Sequence, residues 1–246
     1  MKRIGYLLCI VLFLHSCAKE DSLMQEYMEM IKHLPTINEN NTEAYNDLLM
    51  NIGTENPINS RFKEVAFHYS QMGGITIVGS STIEQWNNPH SSFSGYYVRK
   101  IGVSGSTLVD IIRTGEFSVY FQNPESIVIY AGDNDFAEHS TDMIDFKIMM
   151  QTLVYNINHR LPRTKIFLIS IKPSPARKIC FDQYLEANKY YSQLAEDLGF
   201  VYFVDIWDEM KNRGNECFKS DLTHLNNAGY EVLSNRLREV FYSNNR

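Results

Sequence analysis

The chain has 246 residues, of which 44% are hydrophobic and 21% charged, and its formal net charge is -6. This composition is typical of a globular protein and excludes a chain that is disordered throughout. A net acidic chain without a stripe of Lys and Arg argues against nucleic acid as a partner.

The first sixteen residues, MKRIGYLLCIVLFLHS, place two basic residues ahead of a short apolar run. The run is too short to span a bilayer comfortably, so residues 1–16 are predicted to be a secretion signal. The segment L-H-S-C, which ends at Cys17, resembles the lipobox of bacterial lipoproteins, in which the cysteine is lipidated and becomes the mature N-terminus. We therefore expect an exported protein of the bacterial cell envelope that a lipid on Cys17 anchors to a membrane. The alternative is plain signal-peptide cleavage, which would release a soluble protein.

Residues 17–59 are predicted to form a linker and a helical extension. Apolar residues from 23 to 34 are spaced as one face of a helix that Pro35 ends, and an Asn-rich loop over 36–42 precedes a second helical stretch over 43–52. The main domain is expected over residues 60–246, with a first helix from about 60 to 72.

From residue 75 onward, short apolar and β-branched runs alternate with helical patterns. The runs lie at 75–79, 97–103, 126–132, 165–171 and 200–207, and the helical patterns near 105–114, 141–160, 182–198 and 227–242. Apolar strands that alternate with helices predict an α/β domain with a parallel sheet covered on both faces. In such a sheet, ligands bind outside the carboxyl ends of the strands, so the residues that follow each run are candidates for function.

Four motifs follow these runs. They are G-S-S-T at 79–82, V-S-G-S-T at 103–107, A-G-D-N-D at 131–135 and S-D-L-T-H at 220–224. Each motif alone is also typical of a helix cap or a turn. Together, and in this order, they resemble the SGNH/GDSL hydrolase family over about residue 60 to the end. The resemblance implies a three-layer α/β/α sandwich with a five-stranded parallel, flavodoxin-like sheet. One position departs, because Ser80 stands where the family's G-D-S block has Asp, although some members also read G-S-S.

The resemblance also implies roles for five residues. Ser81 matches the nucleophile, His224 the general base and Asp221 the acid that orients it. The backbone N–H groups of Ser81 and Gly105 and the side-chain amide of Asn134 match the oxyanion hole. The chemistry needs these residue types, because a serine hydroxyl requires a base and the developing oxyanion requires preorganised donors.

These roles predict a carboxylic ester hydrolase that works through an acyl-enzyme, without a metal or a dissociable cofactor. The expected substrate is a small-molecule or glycan ester with a short acyl group, such as acetyl. Two alternatives use the same residues: a carbohydrate O-acyltransferase, and a catalytically inactive lipoprotein that binds glycan. The chain contains no HExxH, CxxC or paired Cys/His spacing that would predict zinc.

Two cysteines, Cys180 and Cys217, remain after the signal segment and the lipidation candidate Cys17, and both lie near the predicted active-site edge in sequence. An exported compartment permits a disulfide between them. The sequence leaves that bond and two separate buried thiols equally open, because it does not give the distance between their Cα atoms.

Overall fold

The computed structural model describes residues 57–69 and 71–245. The predicted signal peptide, the lipidation site Cys17 and the helical patterns predicted before residue 57 lie outside the described residues. Within the described ranges, no helix has both the length and the apolar character that a membrane crossing requires.

A five-stranded parallel sheet forms the centre of the domain, in the order β2-β1-β3-β4-β5. Its strands are β1 (Ile75–Gly79), β2 (Val98–Gly102), β3 (Ser126–Tyr130), β4 (Lys165–Ile169) and β5 (Val201–Val204). The parallel sheet and its flavodoxin-like order confirm the sequence prediction. The predicted last strand was too long, because Trp207 already begins a helix.

Eight α-helices surround the sheet in the described residues. They are α1 (Pro57–Phe67), α2 (Ser81–Glu84), α3 (Leu108–Arg113), α4 (Asp133–Ala137), α5 (Met143–Arg160), α6 (Phe181–Asp197), α7 (Trp207–Arg213) and α8 (Asn227–Asn244). Short 3-10 helices span Pro89–Ser92, Pro175–Cys180 and Gly214–Cys217, and a π-helix spans Glu116–Tyr120. The helix predicted over 60–72 is α1, which begins three residues earlier because proline is well suited to the first position of a helix.

The sheet separates two hydrophobic cores. Along β3, Ile127 and Ile129 pack into the first core and Val128 and Tyr130 into the second, as expected for side chains that alternate between the faces of a strand. Helices α1, α3, α5 and α6 cover the first face, and α2 and α8 contribute to the second. The three-layer α/β/α prediction is therefore confirmed.

The disulfide considered from the sequence is absent, since Cys180 and Cys217 are both free and buried thiols. Cys180 belongs to the first core and Cys217 to the second, so the two thiols pack into different layers. The sequence placed both cysteines near the same edge of the sheet. It did not indicate which of the two layers each side chain enters.

Candidate active site

The candidate site lies at the carboxyl edge of the sheet, where β1 and β3 are neighbours although they are not consecutive. This is the point at which the strand order reverses, the usual location of a ligand site in an open α/β sheet. Ser80 follows β1 as the N-cap of α2, and Ser81 is the first residue of that helix. Ser81 is 7% exposed.

Asp221 and His224 contact each other within one loop. Asp221 Oδ2 lies 2.8 Å from His224 Nδ1, and Asp221 Oδ1 accepts the backbone N–H groups of Thr223 and His224 at 2.8 and 2.9 Å. The backbone N–H groups of His224 and Thr223, together with the imidazole, hold the pKa of the Asp221 carboxyl well below its usual range. The carboxylate therefore stays ionised and favours a proton on Nδ1, which leaves Nε2 of His224 free to act as a base.

Contacts from this loop and from α8, which follows it, reach the helix that Ser81 begins. Tyr230 Oη donates to the carbonyl of Thr82 at 2.9 Å, and Lys219 Nζ donates to Gln85 Oε1 at 2.8 Å. On the other side, segment 174–176 donates to two carbonyls of the loop at 3.1 and 3.2 Å.

These contacts bring the predicted acid–base pair to the edge where Ser81 lies. In the described chain no hydrogen bond joins the side chains of Ser81 and His224. Such bonds often tighten only when substrate binds.

Asn134 links the loops that follow β2 and β3. Its Nδ2 donates to the carbonyl of Ser106 at 2.8 Å, and its Oδ1 accepts from Arg177 Nη1 at 2.9 Å. Because β2 and β3 flank β1 in the sheet, the bond from Asn134 to Ser106 passes over the end of β1, where Ser81 lies.

Gly105 occupies the turn just before Ser106, with a φ of +80°. A Cβ added at this position would meet no atom within 4 Å, so the glycine is required by its backbone conformation and not by crowding. Gly105 is an exposed residue, and it has no side chain that could cover its backbone N–H.

A buried ion pair lies behind the candidate oxyanion hole. Lys172 Nζ donates to Asp133 Oδ2 at 2.6 Å and to Tyr130 Oη at 3.1 Å, and both charged side chains are almost fully buried. Burial raises the pKa of the Asp133 carboxyl, but the charges of Lys172 and Arg177 outweigh this effect, so its pKa is lowered. No role was predicted from the sequence for Asp133, Lys172 or Arg177. The available signal was that Asp133 and Lys172 each come three residues after the end of a strand, β3 and β4 respectively, whereas Arg177 lies further along, in the 3-10 helix Pro175–Cys180.

Ser80, the residue that departs from G-D-S, lies beside this ion pair. Its Oγ is 3.5 Å from Asp133 Oδ1. A hydroxyl at this position can donate to the carboxylate, whereas the aspartate of the usual motif would bring a second negative charge.

Asp135 connects the G-D-N-D segment to α3. Its carboxylate accepts the backbone N–H of Leu108 at 3.0 and 3.2 Å and that of Gly132 at 3.1 Å. Burial raises the pKa of this carboxyl to about 7, and the charge of Asp133 adds to the increase.

No group of three or more His, Cys, Asp or Glu side chains in residues 57–69 and 71–245 is arranged to hold a metal ion.

A parallel sheet in this strand order, with Ser81, Asn134 and His224 following its strands, defines the SGNH class of α/β hydrolases. The family model of the GDSL-like lipase/acylhydrolase family matches residues 77–232, and the chain belongs to that family.

A curated relative of this chain has a low sequence identity to it. The chain is 26% identical over 193 residues to an N-acylneuraminate cytidylyltransferase of Escherichia coli, a match that covers 74% of this chain and 44% of that protein. The chain therefore spans less than half the length of this curated relative.

The fold also occurs in solved structures of other bacterial proteins, among them the following two. A GDSL-like lipase from Bacteroides thetaiotaomicron is 20% identical, with a TM-score of 0.56 and coverage of 75% of this chain and 97% of that one. A family 3 carbohydrate esterase from Clostridium thermocellum is 18% identical, with a TM-score of 0.57 and coverage of 71% and 96%.

Proposed function

We propose that this protein hydrolyses short-chain acyl esters through a covalent acyl-enzyme on Ser81. The observation that carries the proposal is the 2.8 Å contact between Asp221 and His224, in a loop whose Lys219 bonds to Gln85 at the end of the helix that begins with Ser81. A serine nucleophile needs a base at neutral pH, and the base needs an acid that orients it. Ser81, His224 and Asp221 fill these three roles.

The reaction consists of two acyl transfers. In the first, Ser81 Oγ attacks the ester carbonyl while His224 Nε2 takes the hydroxyl proton, which then passes to the leaving alcohol as the C–O bond breaks. In the second, water attacks the acyl-enzyme and gives a proton to His224, and the acid departs as Ser81 Oγ is protonated again. Asp221 remains ionised throughout because of its lowered pKa, and it stabilises the imidazolium that forms in each step.

Three donors serve the tetrahedral intermediate in this proposal. They are the backbone N–H groups of Ser81 and Gly105 and the second hydrogen of Asn134 Nδ2, whose first hydrogen is bonded to Ser106. Donors aimed at the developing oxyanion typically contribute about 100-fold to 1000-fold each to kcat.

We propose a carbohydrate or another hydroxyl-rich molecule as the alcohol part of the substrate, and an acyl group as short as acetyl. The residues that follow β1, β2 and β3 are small and polar, including Ser80, Ser104 and Asn134, whereas a long acyl chain needs an apolar channel. Trp86, the aromatic residue nearest to Ser81 in the chain, is 2% exposed and stacks on Tyr230 inside the core. The carbohydrate esterase from Clostridium thermocellum and the acylneuraminate enzyme from Escherichia coli agree with a sugar substrate.

The test is a series of p-nitrophenyl esters from acetate to decanoate, beside a panel of acetylated oligosaccharides. We expect kcat/KM to fall as the acyl chain lengthens, and Ser81→Ala and His224→Ala to lower turnover at least 1000-fold. Ser91→Ala and His90→Ala are matched controls, because both residues are exposed and Ser91 bonds only to a nearby carbonyl. Full activity of Ser81→Ala would refute the mechanism, and a preference for decanoate would refute the short acyl group.

We further propose that the protein is exported and anchored through lipid on Cys17, on the basis of the basic start, the apolar run and the L-H-S-C segment. Mass spectrometry of the N-terminal peptide from membrane fractions is expected to show a diacylglyceryl group on Cys17. An unmodified Cys17 inside an uncleaved chain would contradict the proposal.

A further inference from the structure

The side-chain amide of Asn134 has a neighbour that fixes which way round it lies. Oxygen and nitrogen of an amide are similar in shape, and only their partners distinguish them. Arg177 Nη1 lies 2.9 Å from one of these atoms, and a guanidinium has N–H donors but no acceptor. The atom that faces Arg177 must therefore be Oδ1.

This orientation leaves the amide nitrogen toward Ser106 and the end of β1. One of its two hydrogens bonds to the carbonyl of Ser106 at 2.8 Å, and the other remains for a ligand. If the amide were reversed, Nδ2 would meet the cationic Arg177 and Oδ1 would meet a carbonyl oxygen. Both contacts would be repulsive, so Arg177 selects the orientation that presents a donor.

Besides Asn134, two carboxylates hold the side chain of Arg177 in place. Its Nη2 donates to Glu138 Oε1 at 2.8 Å, its Nη1 lies 3.5 Å from Asp133 Oδ2, and its side chain is 14% exposed. The 3-10 helix that carries it also donates from Ala176 N to the carbonyl of Leu222 at 3.1 Å. The segment that orients Asn134 thus also contacts the loop of the acid–base pair.

The charge of Arg177 acts in the same direction as its geometry. A hydrogen bond from a cation to Oδ1 withdraws electron density from the amide, which makes the remaining N–H a stronger donor. The positive charge of Arg177 also interacts with the buried carboxylate of Asp133, which pairs with Lys172, and with the exposed carboxylate of Glu138.

We propose that Arg177 is a positioning residue for the oxyanion hole, which holds the Asn134 amide with its N–H toward the substrate and strengthens that donor. The proposal rests on the proposed function. It assigns to Arg177 an effect on the transition state that passes entirely through Asn134.

A double-mutant cycle tests this assignment. Steady-state kinetics with p-nitrophenyl acetate would be measured for the wild type, Arg177→Ala, Asn134→Ala and the double variant, with thermal melts of each. We expect Arg177→Ala to lower kcat about 10-fold to 100-fold with little change in KM, because the interaction lost is made in the transition state. In the Asn134→Ala background, the same substitution should have almost no effect on kcat.

Two control variants separate the bond to Asn134 from the remaining contacts of Arg177 and from its effect on folding. Glu138→Gln removes the exposed ion pair of Arg177 but keeps its bond to Asn134, and is expected to retain wild-type kcat. Arg177→Met repeats the cycle with an unbranched, uncharged residue that has no N–H donor, should Arg177→Ala fail to fold.

The proposal is overturned if substitution of Arg177 changes kcat by the same factor in both backgrounds, including no change in either. Ser81→Ala in the same series tests the proposed function separately. Retained turnover in that variant would refute the nucleophile, whereas an inactive Ser81→Ala with an equal-factor cycle would refute only the role of Arg177.

Discussion

Substitution of Gly105 by alanine tests the oxyanion hole where the backbone itself is the donor. The φ of +80° at this position lies in the left-handed region, which costs a residue with a Cβ about 1–2 kcal/mol. A Cβ placed here meets nothing within 4 Å, so the destabilisation comes from backbone strain alone. For a domain of this size, we expect the melting temperature to fall by about 2–8 °C.

The loss of activity should exceed what this strain explains. Complete removal of an oxyanion donor typically costs about 100-fold to 1000-fold in kcat. Alanine relieves its strain by rotating the N–H away without removing it, so we expect Gly105→Ala to lower kcat about 10-fold to 100-fold. The assay is hydrolysis of p-nitrophenyl acetate at a temperature well below the melting point of every variant, so that the fraction unfolded is negligible.

Gly95 provides a matched control. Its φ is +85°, and a Cβ added there also meets nothing within 4 Å, but it lies ahead of β2 and away from the carboxyl edge. Gly95→Ala should therefore show a similar fall in melting temperature with unchanged kcat. Equal stability losses with wild-type kcat in Gly105→Ala would refute the donor role of the N–H at residue 105.

Three further predictions concern the groups around and behind the site. The raised pKa of Asp135, about 7 against an ordinary 3.8, contributes stability that is fully present below about pH 4 and lost as the pH rises to about 7. Urea denaturation should show that the free energy of unfolding falls by up to about 4 kcal/mol over that pH range, and by less in Asp135→Asn. The same dependence on pH in the wild type and in Asp135→Asn would contradict the raised pKa of Asp135. Ser80→Asp would place a second carboxylate beside Asp133, and is expected to lower the free energy of unfolding at pH 8 by about 1–3 kcal/mol. Unchanged stability would contradict this expectation and would show that Lys172 and Arg177 compensate both carboxylates. Cys180 and Cys217 should each react with an alkylating agent after denaturation without reductant, and a linked peptide in mass spectrometry would contradict their separation into two cores.

Long and regular patterns in the sequence were sufficient to predict the sheet. The run at 75–79 coincides with β1, because a buried strand requires a continuous apolar segment that few other structures use. The run at 200–207 was too long because Ile206 and Trp207 are also buried, although neither lies in the strand. Helices α2 and α4 are four and five residues long, too short for a helical period to be visible.

In the candidate site too, contacts between residues close in sequence could be predicted, and contacts between distant segments could not. Asp221 and His224 lie within one loop, so their spacing predicted a contact that the structure contains. Arg177 and Asn134 come from different strand ends, and nothing in the neighbourhood of either residue indicates its partner. The two cysteines illustrate the same limit, since which layer a side chain enters depends on backbone geometry that residue spacing does not encode.

The acid–base pair lies in the last loop of the domain, after all five strands. During synthesis, a chain that ends between residues 135 and 220 carries the proposed nucleophile and all three proposed oxyanion donors but contains neither Asp221 nor His224 to activate the serine. Under the proposed mechanism the nascent polypeptide therefore has no esterase activity. Activity begins only after the final loop and α8 have been synthesised and have packed against the sheet.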